Sequence, residues 1–355
     1  MQSIKTKLKV NNYQKTILAK HAGVARHAYN WGLTTCITEY ELRKKRPSAV
    51  TLHKRLVREV KSQNPWYYEV SKCSPQQALR DLDRAFKNFL TIPKRGFPKF
   101  KKKGKKDSFY LEGSIKIIQG NYIKLPRIGI VKTYEILPSV PVKNVRISKR
   151  AGDWYISFKY DDQPNPTTKE RDIIGVDVGI NALATCSDGS QFANVKAYKQ
   201  AKKRLTRYQR RVNKKDPGSK NRRKAVKKLA KAHKKVADIR ADTLHKLTTW
   251  LAQNHSTIVI EDLNVSGMLK NHKLASAIAD CGFYEFKRQL TYKCEWYGSK
   301  LTIADRFYPS SQICSHCGQK QKMPLHKRTY KCGNCGFSVD RDFNAAVNLE
   351  NYVHQ

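Results

Sequence analysis

The sequence predicts an α+β, multidomain chain. Helical periodicities mark the first ninety residues, and a run of short strand-like segments fills residues 109–160. From Ile173 onward, apolar strands alternate with basic helices up to a pair of Cys-x2-Cys motifs. At 355 residues the length suits two or three domains of about 100–200 residues each. The charge narrows the class further. There are 71 Lys+Arg against 28 Asp+Glu, a net +43 with His neutral. So large an excess of one sign repels itself unless a polyanion is bound, which points to nucleic acid. An anionic membrane is the alternative, but no apolar run of about 18 residues could span one. The N-terminal MQSIKTKLKV lacks a signal-peptide core. The nine cysteines are odd in number, with four crowded into 314–335, which suits a metal site in a reducing cytosol better than a secreted disulfide framework.

Taken in order, residues 3–10 alternate polar and apolar and predict a strand. Ile17, Val24, Ala28 and Trp31 share one helical face. A second helix is expected over 75–90, with Ser74 as N-cap, Pro75 at the first helical position, Gln77 completing a capping box, and Leu79, Leu82, Phe86 and Phe89 as the apolar stripe. The stretch PKRGFPKFKKKGKKDSF from Pro93 is an expected exposed loop. The β segments that follow turn at Gly120-Asn121 and Gly152-Asp153, and their even spacing suggests a small barrel. DDQPNPTTKER, residues 161–171, is an expected linker.

The third region opens with IIGVDVGINALATCSDGSQF, two expected strands around a turn. Residues 196–240 hold twenty Lys/Arg and only Asp216 and Asp238 as acids. Val226, Leu229, Ala230, His233, Val236 and Ala237 keep helical spacing and Asp216-Pro217-Gly218 breaks the segment, so a basic helical hairpin facing nucleic acid is expected. A helix over 242–253, the strand STIVIEDLN, helical residues 275–297 and the strand LTIADRF complete the reading.

Cys314-x2-Cys317-x14-Cys332-x2-Cys335, with Gly318 and Gly336 after the pairs, has the form of two zinc knuckles. Four soft thiolates favour Zn2+ and close its coordination, so the expected role is structural. His316 and His326 are then superfluous. Asp177 ends an apolar strand, Glu261 ends the run IVIE, and Asp342 starts a helix after the last cysteine pair. A carboxylate on a buried strand is costly unless paired or bound to a cation. Three such acids can converge on a pair of Mg2+ ions that clamp a phosphodiester. Each acid alone could be a turn former, Asp262 and Asp340 compete as neighbours, and Asp340 could cap the last helix instead.

The order GVDVG, RADTLHKLTTWL, IVIEDLNVSGM, PSSQICSHCG and YKCGNCGFSVDRDFNAAVNL resembles the TnpB family, transposon-encoded RNA-guided DNA nucleases related to type V CRISPR effectors. QQALRDLDRAFKNFL and GFPKFKKKGKKDSFYLEG extend the resemblance over nearly the whole chain. It implies an RNase H-like (RuvC) α/β nuclease core over 170–305 and 338–355 with a zinc ribbon inserted at 306–337. It also implies a small β-barrel wedge over 1–10 and 93–165 that carries a helical recognition domain, 11–92. By motif, Asp177, Glu261 and Asp342 are the catalytic Mg2+ ligands, Asp342 favoured over Asp340. The implied partners are a guide RNA from the transposon end and double-stranded target DNA, bound by a monomer in the prokaryotic cytoplasm and cut beside a short target-adjacent motif by one site acting twice. Lys94, Arg95, Lys99, Lys101, Lys102 and Lys103 are candidate grips on a heteroduplex backbone, and Lys203, Arg204, Arg207, Arg210 and Arg211 are further phosphate contacts. Trp31, Trp66 and Tyr67 could stack on bases, against core packing as the alternative. A non-cleaving guided repressor, a zinc-ribbon RNA-binding protein and a strand-joining transposase are the rival readings.

Overall fold

The computed structural model describes residues 2–161, 165–324 and 326–354. Residues 1, 162–164, 325 and 355 fall within the expected wedge, linker, ribbon and nuclease segments and lie outside the described residues. The chain divides into two compact units, Met1–Asp162 and Gln163–Gln355. Among the described residues, no helix is long and apolar enough to cross a membrane.

In the first unit, β1 (Gln2–Lys9) leads into α1 (Asn12–Arg43). The Asn11 side chain accepts from the Gln14 N–H at 2.8 Å, and the Gln14 side chain accepts from the Asn11 N–H at 3.1 Å. This reciprocal box satisfies two otherwise orphaned donors. On the expected face of α1, Val24 and Ala28 are buried and Ile17 and Trp31 pack at the margin. Then come α2 (Ala49–Arg55) and α3 (Cys73–Thr91). The expected cap of α3 is not observed. Lys72 occupies that position without a side-chain bond, while Ser74 Oγ donates to the Tyr110 carbonyl and Gln77 Nε2 to Asp81. Leu79, Leu82 and Phe86 are buried, but Phe89 is 38% exposed and meets Phe97 edge-on.

Described residues 92–107 carry no helix or strand. The strands β2 (Ser108–Glu112), β3 (Lys116–Ile118), β4 (Tyr122–Leu125), β5 (Gly129–Thr133), β6 (Asn144–Arg150) and β7 (Asp153–Tyr160) follow. With β1 they form one sheet, ordered β2-β6-β7-β1-β5-β4-β3, whose neighbours all run antiparallel. β1 changes partner along its length, from β7 over residues 2–7 to β5 at Leu8 and Lys9. The second hairpin turns one residue earlier than expected. Arg150 pairs with Asp153, so the loop is Ala151-Gly152, at φ 52° and 92°, which suits the twist of the flanking strands. Alternate residues such as Leu111, Val145, Ile147 and Ile156 point into one core shared with α1 and α3.

The second unit begins with β8 (Arg171–Asp177), β9 (Ala182–Cys186) and β10 (Gln191–Ala193). The basic hairpin is present as α4 (Ala197–Asn213) and α5 (Lys220–Asn254). Ser219 caps α5 by accepting from the Arg222 N–H at 3.0 Å. The separate helix expected over 242–253 is a continuation of α5, because neither Gly nor Pro interrupts it and Val236, Leu244, Leu247 and Leu251 keep helical spacing into the core. Ala232 and Val236 are buried in the hairpin, whereas Val226 and His233 are exposed. The chain continues through β11 (His255–Glu261), α6 (Val265–Met268), α7 (Ala275–Cys281), α8 (Phe283–Tyr297), β12 (Lys300–Ala304), β13 (Thr329–Lys331), β14 (Ser338–Asp340) and α9 (Arg341–Asn351). Gly282, at φ 74°, splits the expected single helix into α7 and α8.

The main sheet is ordered β10-β9-β8-β11-β12, with β8, β11 and β12 parallel. Parallel strands need cover on both faces. Ile174, Val176, Ile258 and Ile260 pack with Leu247, Leu251 and Leu290 of α5 and α8, while Val259 packs with Leu349 of α9. β13 and β14 form a separate two-stranded ribbon.

Candidate active site and metal centre

The four ribbon cysteines come together. Their Sγ atoms all lie within 4.8 Å of one another, with Cys314–Cys335 at 3.8 Å and Cys317–Cys332 at 3.6 Å. A tetrahedral ion with Zn–S bonds of about 2.3 Å separates its sulfurs by about 3.8 Å, so the set fits zinc. Each knuckle is a tight turn: Gly318 N–H donates to Cys314 O at 2.9 Å and Gly336 N–H to Cys332 O at 3.1 Å. His316 stacks on Phe337 and His326 is exposed, so neither is needed for the site.

The acids come from three segments. Val176 of β8 sits opposite Ile260 of β11 in a parallel register, so Asp177 and Glu261 follow side by side at the strands' C-terminal ends. α9 lies directly on β8. A Cβ at Gly175 would be 2.0 Å from Ala346 O and 2.5 Å from Glu350 N, so the first residue of the GVDVG motif must be glycine for this contact. That docking brings Asp342, in the first turn of α9, to the same end of the sheet. The Asp177 carboxyl is pushed up to about 8, first by burial and then by the charges of Glu261 and Asp342, with Arg341 opposing. Glu261 accepts a hydrogen bond from the buried hydroxyl of Ser310. Arg328 and Arg341 each stand 3.6 Å from an Asp342 oxygen.

The neighbouring acids have other work. Asp340 Oδ1 accepts from the backbone of Asp342 at 2.9 Å and Phe343 at 3.1 Å, capping α9. Asp262 is held by Lys287 at 2.9 Å and by Arg306, and the two cations keep it below the usual carboxylate range. Three carboxylates at one end of the sheet, with Asp177 pushed up by burial and then by the charges of the other two, suit a hard divalent cation such as Mg2+.

Two residues that carry this geometry lie outside the sequence-stated acids. Asn344 and Asn348, one turn apart on α9, tie the helix to the ribbon. Asn344 Nδ2 donates to Ile313 O at 2.7 Å, and its Oδ1 accepts from Ser315 N–H at 3.0 Å. Asn348 Nδ2 donates to the carbonyls of Ser310 and Ile313 at 2.7 Å each. Both asparagines are buried. Asparagine is unfavourable inside a helix unless its side chain is committed elsewhere, and the NAAVN spacing was the available signal.

The basic candidates divide. Lys94, Arg95, Lys99, Lys102 and Lys103 are exposed. Lys101 is not free in the same way: its ammonium lies 3.8 Å from the Tyr29 ring centre, burial lowers its pKa, and its backbone N–H is fixed by Asn30. Lys203, Arg204, Arg207, Arg210 and Arg211 are all exposed along α4. Tyr67 is buried and bonds to His27, and Trp66 and Trp31 pack against the first core, which favours packing over base stacking.

Comparison with known proteins agrees with this layout. A family model described as "Probable transposase" matches residues 155–272, one for the "Cas12f1-like, TNB domain" matches 283–349, and one for a "Helix-turn-helix domain" matches 1–45. In this structure the described part of that last segment holds β1 and the single long helix α1. The fold is shared with a Cas12f1–sgRNA–target DNA complex (TM-score 0.56, 15% identity, covering 94% of this chain and 82% of that one). It is also shared with a mini-RNA-guided endonuclease, CRISPR-Cas_phi3 (TM-score 0.54, 8% identity, 100% and 92% covered). These likenesses define the class as the mixed α/β fold of the compact CRISPR effectors. In sequence, the chain is 36% identical to a "Putative RNA-guided DNA endonuclease" of Streptomyces pristinaespiralis, over 98% of this chain and 89% of the relative. It is 34% identical to a protein of the same description, InsQ, of Escherichia coli K12, over 98% and 91%. The chain belongs to the TnpB family, as its motif order anticipated.

Proposed function

We propose that this protein is an RNA-guided DNA endonuclease of a transposon, which binds a guide RNA and cuts double-stranded DNA beside a short target-adjacent motif. The observation that carries the reading is the convergence of Asp177, Glu261 and Asp342 through the β8–β11 register and the docking of α9 on Gly175. The similarity to proteins named RNA-guided DNA endonucleases and the net charge of +43 support the choice of nucleic-acid partners.

In this reading, residues 170–305 and 338–355 are a RuvC-like nuclease interrupted by the zinc ribbon at 306–337, and a wedge barrel (1–10 and 93–165) carries the recognition helices of 11–92. Cys314, Cys317, Cys332 and Cys335 hold one structural Zn2+. Asp177, Glu261 and Asp342 hold the catalytic Mg2+. Bound there, Mg2+ supplies the charge that activates water for in-line attack on phosphorus and steadies the departing 3′-oxygen. The protein's own groups set up that chemistry. Asp177, whose carboxyl is pushed up by burial and its acidic neighbours, would release its proton to water as a cation takes its place. Ser310 engages one oxygen of Glu261 and so orients the carboxylate. Arg328 and Arg341 flank Asp342 and balance charge when the site is empty. The exposed bases of α4 and of the loop from Lys94 to Lys103 contact phosphates, and guide–target pairing supplies sequence readout. The products are a 5′-phosphate and a 3′-hydroxyl, and the single site cuts both strands in turn. The protein works as a monomer in the prokaryotic cytoplasm.

The test is to express the protein with its native flanking DNA, sequence the RNA that copurifies, and incubate the complex with a randomised-flank target library and Mg2+, with Asp177→Ala alongside. The expected outcome is one discrete RNA and cleavage beside a fixed motif, absent in the variant. Specific binding with no cleavage would replace the nuclease with a guided repressor.

A further inference from the structure

A second feature of the nuclease unit adjoins Glu261. A cavity of about 340 Å³ opens between the end of β11 and the start of α8. Its floor is apolar, formed by Val178, Leu263, Val265 and Phe286, and Glu261 itself lines its edge. Lys287 and Arg306 also line it, both fastened to Asp262, so with Glu261 at the edge two cations face two carboxylates there. Tyr284 lines the same cavity, yet 72% of it is open to solvent.

An exposed aromatic ring on the wall of an apolar-lined cavity, with two cations in the same lining, matches one nucleotide: a flat base for the ring and a phosphate for the cations. A peptide side chain would use the floor but leave the cations idle, and a free anion would use the cations but leave the floor wet. We propose that this cavity takes one nucleotide of the single-stranded substrate, its base stacked on Tyr284 and its phosphate beside Lys287 and Arg306, adjacent to the phosphate being cut. Asp262 acts as a positioning residue that holds both cations in place. The proposal rests on the nuclease reading, because the occupant is the strand that Glu261 would help to cleave.

The experiment uses the RNA-bound Asp177→Ala complex, which needs no cleavage. Single-stranded oligonucleotides with 5-iododeoxyuridine placed in turn at every position are irradiated, and the crosslinked peptide is identified. A crosslink to Tyr284 from one position, retained in Tyr284→Phe and lost in Tyr284→Leu, is the expected result. In the Asp177-containing protein, Tyr284→Leu should raise KM for single-stranded cleavage about tenfold, in line with the loss of one stacking contact, with an unchanged Tm. Crosslinks that map only to other peptides, or that persist in Tyr284→Leu, would overturn the subsite, as would an unchanged KM. Crosslinking to Tyr284 in a protein that never cleaves would instead sink the nuclease reading and leave the subsite standing.

Discussion

The ribbon and the carboxylates are the two cation sites of the proposed reading, and they are assembled in opposite ways. The four thiols come from one 22-residue stretch, Cys314 to Cys335, and two tight turns aim them at a common centre. The acids come from positions 177, 261 and 342, and only the sheet and α9 bring them together. With zinc bound as proposed, the ribbon's fold would depend on its metal, whereas the acid cluster depends on a fold that stands against its own repulsion. Removing a ligand should therefore have opposite structural effects at the two sites.

The largest expected effect is at the ribbon. Cys332→Ser should unfold it, because structural zinc contributes about 10–16 kcal/mol of apparent binding energy to such domains. Soluble yield and zinc content by metal analysis should both collapse, and a soluble, zinc-replete, active variant would refute the contrast. Asp177→Ala should do the reverse. Cleavage should fall by about 10³-fold or more, as expected when several kcal/mol of metal-supplied stabilisation is lost. The metal-free Tm should rise, since the fold no longer has to bury a carboxyl that must either take up a proton or meet its acidic neighbours as a charge. Ser310→Ala should keep the fold but raise the Mg2+ concentration for half-maximal cleavage about 10-fold, the lower end for groups that orient metal ligands. Gly175→Ala should cost about 1–3 kcal/mol by pushing α9 off β8, read as a lower denaturant midpoint. A further effect is in pH. With its carboxyl at about 8, Asp177 binds a proton that the unfolded chain has already released above its ordinary value of 3.8. Metal-free stability should therefore fall as pH rises from about 4 to about 8. The Mg2+ requirement should fall over the upper part of that range, because the cation no longer competes with the proton.

The same contrast explains what could be read in advance. The Cys pairs, the strand-end acids and the basic hairpin were legible because spacing and periodicity are local. Asp340 could be anticipated as a cap, and its bonds to the α9 backbone agree. The cap of α3 could not, because Ser74 is drawn to the Tyr110 carbonyl, a partner 36 residues away. Lys101 read as one more exposed lysine until tertiary packing put it over Tyr29. The NAAVN spacing singles out Asn344 and Asn348, but neither it nor anything around Ser310 tells which groups they hold, since those partners are 29 to 49 residues distant in the chain.

α5 has a mechanical consequence. Its 35 residues span about 52 Å at 1.5 Å per residue. One end is studded with lysine and arginine, the other is packed in the core, and the helix passes from Asn254 straight into β11 at His255 without a connecting loop. It is a stiff beam clamped at one end, with no slack between it and the strand that ends in Glu261. A load applied to the basic tip, such as the pull of a bound phosphate backbone, is borne by the root of the beam as torque instead of being absorbed in a hinge.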